Sequence, residues 1–189
     1  MKRILILSLS ILLFFACKNN TSNNDISADS VYHLPSQWEN QAGQKMKMAD
    51  LKGKVVVMVM IYSTCKTACP ILTSEMGEIA SRLADVSPKD IRFVMVSIDP
   101  QTDTPERMTA YLKKNNFSGE QWLFLRSSEE ETRELANVLS VKYKEISPVD
   151  FSHSNIISVF SKNGTLAFQK EGLGIDVEGT VSEVRKQLQ

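Results

Sequence analysis

Seven consecutive apolar residues, Val55–Ile61 (VVVMVMI), run almost directly into Cys65-Lys66-Thr67-Ala68-Cys69-Pro70. The apolar run is too short for an ordinary helix, and most of it is β-branched, so it predicts a strand. It does not alternate apolar with polar residues. Both of its faces are therefore expected to be covered, which places it inside a sheet. A strand with two covered faces needs other layers above and below it, and that narrows the chain to layered α/β architectures.

The rest of the pattern fits such layers. Leu72, Met76, Ile79 and Leu83 recur at helical spacing and predict a helix ending before Ser87-Pro88. Residues 91–98 read as a second strand. Thr104 followed by Pro105 signals the start of a second helix, with Thr as cap and Pro at the first helical position. A strand over 122–125 and a helix over 129–139 follow. Strands over 156–160 and 165–169 flank Asn163-Gly164, a tight-turn dipeptide, and a helix over 176–188 closes the chain. The order is β-α-β-α-β-α, hairpin, helix. It implies a central mixed sheet flanked by helices, with an additional N-terminal β-hairpin over 37–48 around Gly43.

The 22 Lys and Arg residues balance 22 Asp and Glu, so the formal net charge is zero. That argues against electrostatic nucleic-acid binding. At 42% hydrophobic and 23% charged, the chain has an ordinary globular composition. Met1-Lys2-Arg3 precedes a nearly unbroken apolar run over 4–16. A membrane-spanning helix needs about 20 such residues, so the run reads as a secretory signal. It ends Phe14-Phe15-Ala16-Cys17, which resembles the lipobox of bacterial lipoproteins, although Leu is more usual where Phe14 stands. That resemblance implies cleavage before Cys17 and a lipid on its thiol. Residues 18–30 are polar apart from Ile26 and Ala28, so 17–33 reads as a tether and 34–189 as one domain. A domain of about 155 residues buries about 70% of its unfolded surface and needs no disulfide for stability. Cys65 and Cys69 are then free for chemistry.

The cysteine pair falls between the buried strand and the first helix, at the carboxyl end of a strand, where open α/β sheets place their sites. Cys69 lies near the helix start, where free N–H groups and the helix dipole favour a thiolate. A four-residue separation spans about 6 Å along a helix. That distance suits either a disulfide or joint binding of one soft metal ion. His153, in Asp150-Phe151-Ser152-His153-Ser154-Asn155, precedes the hairpin strand. In a thioredoxin-like layout that segment lies near the cysteine loop. Two thiolates select soft ions such as Cu(I), and an imidazole completes a three-coordinate site, whereas zinc would want a fourth ligand. His33, at the end of the tether, reads as a solvated side chain. Asp99 and Asp103 suit turn and helix-start chemistry, with a supporting or partner-docking role also considered for Asp99. Met58, Met60 and Met95 read as core, and Met46 and Met48 as packing residues.

Several segments together resemble the Sco/SenC family of envelope copper proteins, over roughly 37–188. They are Asp50-Leu51-Lys52-Gly53-Lys54, Cys65…Cys69-Pro70, Ser97-Ile98-Asp99-Pro100 with Asp103-Thr104-Pro105-Glu106, and His153-Ser154. The resemblance implies a thioredoxin-like fold and a copper site of Cys65, Cys69 and His153. It implies a metallochaperone that delivers copper to a cytochrome c oxidase subunit, or to another copper protein, during oxidase assembly. Cu(I) is the expected cargo, with Cu(II) left open. A thiol reductase would keep the pair reduced, and a lipid on Cys17 would hold the protein to a bacterial envelope membrane, facing the periplasm. The alternative is a thiol-disulfide oxidoreductase using the same pair. Thioredoxin-type enzymes use CxxC, however, and have no need of His153. The chain departs from the family at Lys66, where Pro is common, and at Ser152, where Asp is usual.

Overall fold

In chain order the strands are β1 (Trp38–Asn40), β2 (Lys45–Met46), β3 (Val55–Ile61), β4 (Ile91–Ser97), β5 (Trp122–Arg126), β6 (Tyr143–Ser147), β7 (Asp150–His153), β8 (Ile156–Phe160) and β9 (Leu166–Glu171). The helices are α1 (Ala68–Arg82), α2 (Pro105–Lys114), α3 (Glu129–Val138) and α4 (Val177–Leu188). The computed structural model describes residues 26–147, 150–174 and 176–189.

Seven strands form one mixed sheet in the order β2-β1-β5-β4-β3-β8-β9. β3, β4 and β5 run parallel, and β8 joins β3 antiparallel. All seven residues of β3 are buried. Successive side chains point to opposite faces, so both faces of β3 are covered, as its unbroken apolar pattern requires. α1 packs against α4, which also lies on β3, β8 and β9, while α2 lies on β5. Thr104 Oγ1 accepts the Arg107 N–H at 3.4 Å and starts α2, with Pro105 in the first turn. Met46 is half-buried and Met48 fully buried, in keeping with their reading as packing residues. Among the described residues, no helix is long and apolar enough to cross a membrane.

Three features differ from the pattern-based expectation. The folded body begins before residue 34, because Val31 and Tyr32 are buried in a short 3-10 turn. Ser30 Oγ donates to the Asn163 carbonyl at 2.6 Å, and the Val31 N–H donates to the Gly164 carbonyl at 3.0 Å. Gly164 has φ +78°, and a Cβ there would lie 2.5 Å from Ser30 Oγ. The β8–β9 turn thus needs glycine for its backbone and for the segment docked on it. The signal segment 1–16, Cys17 and the tether up to residue 25 lie outside the described residues.

The N-terminal hairpin forms, with β1 antiparallel to β2, but it also extends the main sheet. β1 pairs with β5, and Glu39, opposite Arg126, makes an ion pair with it at 2.7 Å. Finally, the segment expected as a loop before β8 is a two-stranded ribbon, β6 with β7. β7 alternates exposed with half-buried residues, β6 is half-buried only at its two ends, and neither carries an apolar stripe for periodicity to detect.

Candidate metal centre

The site starts at the carboxyl end of β3. Ser63 is tied down by Asp103, whose fully buried carboxylate accepts the Ser63 N–H at 3.2 Å, the Ser63 hydroxyl, and the Ser97 hydroxyl at 2.6 Å. Burial raises the Asp103 carboxyl above the ordinary carboxylate range, and the two serines pull it partly back. Asp103 was read from sequence as a turn residue. Its partners come from two different strands' ends, so no local pattern announces this role.

Cys65 is half-buried in the loop and Cys69 is fully buried in the first turn of α1; both are free thiols. The Cys69 N–H donates to Cys65 Sγ at 3.4 Å. Burial opposes ionisation of Cys65, but hydrogen bonds from Cys69 and from the Thr67 backbone outweigh it and lower its pKa to about 6. Contrary to the thiolate expected at the helix start, burial pushes the Cys69 thiol up, and the nearby Cys65 and Asp103 charges reinforce the effect, so Cys65 and not Cys69 is the favoured thiolate. The reduced pair is therefore split, with Cys65 the thiolate and Cys69 the thiol near neutral pH.

His153 is the last residue of β7. Its Nδ1 lies 3.0 Å from the Ser154 carbonyl oxygen, which can only accept, so Nδ1 carries the proton. In the neutral ring that leaves the Nε2 lone pair facing Cys69 Sγ, 3.4 Å away. Tyr62 packs edge-on against the ring, with centroids 5.9 Å apart. The ligand atoms of Cys65, Cys69 and His153 all lie within 4.8 Å of one another. Two sulfurs and an imidazole nitrogen form a soft donor set, and among the described residues no carboxylate joins the group. That set fits a cuprous ion better than a hard cation.

Asp99 is not part of this cluster. Its carboxylate accepts the Thr102 N–H at 3.3 Å and closes a turn, and it lines a cavity of about 180 Å³ with Arg133, Tyr143 and Phe151. His33 is exposed and bonds the Ser27 carbonyl at 2.9 Å. Tyr62 was missed by sequence reading. As one more apolar-compatible residue after a buried strand, it carries no signal of its own.

The family model described as SCO1/SenC matches residues 27–188. The SCO1 protein homolog of Bacillus subtilis (strain 168) is 30% identical over 103 residues, which are 54% of this chain and 53% of that protein. The chain thus spans about half the length of that curated relative. A SCO1/SenC family lipoprotein from Bacillus anthracis str. Ames superposes with TM-score 0.76 at 23% identity, covering 84% of this chain and 96% of that one. Arabidopsis thaliana ScoI with copper bound superposes with TM-score 0.70 at 21% identity, covering 80% and 96%. At these identities the likeness establishes the fold, which is thioredoxin-like.

Proposed function

This chain belongs to the SCO1/SenC family, and on that premise we propose that it is an envelope copper metallochaperone that delivers copper to cytochrome c oxidase during its assembly. One observation carries the reading: two cysteines and a histidine 84 residues beyond the second converge within 4.8 Å. The copper bound by its Arabidopsis relative supports the same cargo. Here the ion is cargo. Cys65 and Cys69 supply thiolates, His153 supplies Nε2, and binding displaces the proton that Cys69 holds in the free protein. Both thiols must be reduced first, so an envelope thiol reductase belongs to the cycle. Residues 1–16 act as the signal peptide, and a lipid on Cys17 anchors the domain, in keeping with the lipoprotein relative.

Anaerobic titration of the reduced full chain with Cu(I), read by intact mass, tests this. The expected result is one Cu(I) per chain. No uptake, or equal uptake by Cys69→Ala, rejects the site.

A second reading has its own support. A half-exposed Cys65 lowered to about 6 beside a buried Cys69 is the asymmetry of an attacking and a resolving thiol. Thiol–disulfide exchange on the same pair is the alternative that the His153 variant below separates.

A further inference from the structure

His153 reaches the cysteines from a ribbon that pairs with itself. β6 and β7 form a two-stranded sheet separate from the seven-stranded one. Such a ribbon is marginally stable alone, so its position over the cysteine loop depends on side-chain contacts with the body.

Tyr62 stands at that junction. It follows β3 directly, is buried, and lies three residues before Cys65. Its ring meets Phe151 edge-on at 5.2 Å and His153 at 5.9 Å. Phe151 and His153 are alternate residues of one strand, so they present the same face to it. The Tyr62 hydroxyl donates to Asp150 Oδ1 and accepts the Phe151 N–H at 3.2 Å. One side chain thus grips the ribbon by backbone, carboxylate and two rings.

We propose that Tyr62 is a positioning residue of the metal centre, fastening β7 to the end of β3 and so setting His153 Nε2 against the cysteine loop. The metal readout of this proposal rests on the copper reading above; the ribbon readout does not. Tyr62→Phe keeps the ring and removes the hydroxyl. In the reduced full chain, competition for Cu(I) against bicinchoninate should show affinity falling about tenfold, as when a ligand loses an outer partner. His153→Ala sets the loss without the imidazole. Tyr62→Phe combined with His153→Ala should fall no further than His153→Ala alone, because Tyr62 acts through that ring.

Asp150→Asn, which keeps a carbonyl acceptor, should bind like wild type. Asp150→Ala, at an exposed position, should weaken binding in the same direction and covers the case in which Tyr62→Phe misfolds. In the metal-free protein, the Phe151 N–H also donates to Asp150 Oδ1 at 3.0 Å, so its exchange in Tyr62→Phe should quicken by up to about fivefold, the effect of one lost hydrogen bond, with β3 amides unchanged. Wild-type affinity in both Tyr62→Phe and Asp150→Ala, or additive losses in the double variant, overturns the proposal. If wild type takes up no Cu(I), the copper reading fails, and Phe151 exchange alone decides: unchanged protection rejects Tyr62, and faster exchange supports it.

Discussion

Cys65 and Cys69 hang from a strand whose seven residues are all buried, whereas His153 ends a ribbon with no fully buried residue in either described strand. The cysteine loop is further tied at Ser63 by the buried Asp103 carboxylate. The ribbon reaches the body through Tyr62, through the His153–Cys69 contact, and through Arg133 of α3, whose guanidinium lies 4.8 Å over the Tyr143 ring. The two cysteines therefore share the rigidity of the core, and the histidine sits on a less buried element, where local opening costs less. Under the proposed function as a copper carrier, this division would let affinity be tuned at the ribbon without loosening the sheet.

The largest effect is expected at the core-held donors. Cys65→Ala or Cys69→Ala should lower Cu(I) affinity by more than the about 100-fold that loss of an outer partner costs, as measured by chelator competition. A mutant with wild-type affinity would break the comparison at its strongest point. The next effect concerns stability. Met58→Ala, in fully buried β3, should cost about 2–5 kcal/mol in a urea melt by opening a core cavity.

A third effect is a pH dependence. Cys65 is lowered to about 6, so its thiolate fraction rises as pH climbs through that value. Alkylation of the reduced metal-free protein by iodoacetamide should therefore increase between about pH 5 and 7 and then level off. Cys69 should remain protonated and slow throughout. A midpoint near the ordinary thiol value of about 8.5 would mean that the Cys69 and Thr67 hydrogen bonds to Cys65 do not hold in solution. The smallest effect lies on the ribbon surface. Ile146 is 61% exposed on β6, and Ile146→Ala should change stability by less than about 0.5 kcal/mol.

The same division explains what could be read from the chain. β3 occupies the very residues of its apolar run because burial on both faces leaves that pattern and no other. Thr104-Pro105 and Asn163-Gly164 act locally, so their cap and turn were legible too. The ribbon was not, because its half-exposed strands have no apolar period. Asp103 and Tyr62 were missed for a related reason: their work depends on Ser63, Ser97, Asp150 and Phe151, which only the tertiary fold brings within reach. The docking of Val31 and Tyr32 was hidden by the polar residues before them, and it depends on the distant Gly164 turn. The cysteine pair and His153 were legible as chemistry, and their convergence was legible only through the family resemblance.

His153→Ala tests the division most directly, because it removes the ribbon's donor and leaves both cysteines and the start of α1 untouched. Two quantities are measured on mutant and wild type: Cu(I) affinity by chelator competition, and the rate at which the reduced pair reduces a model disulfide. Thiol exchange depends on thiolate fraction and access and does not require an imidazole ligand. The account predicts that copper affinity falls steeply while the exchange rate changes little. Unchanged copper affinity with a collapsed exchange rate would contradict it, and would make His153 the tuner of a redox thiolate.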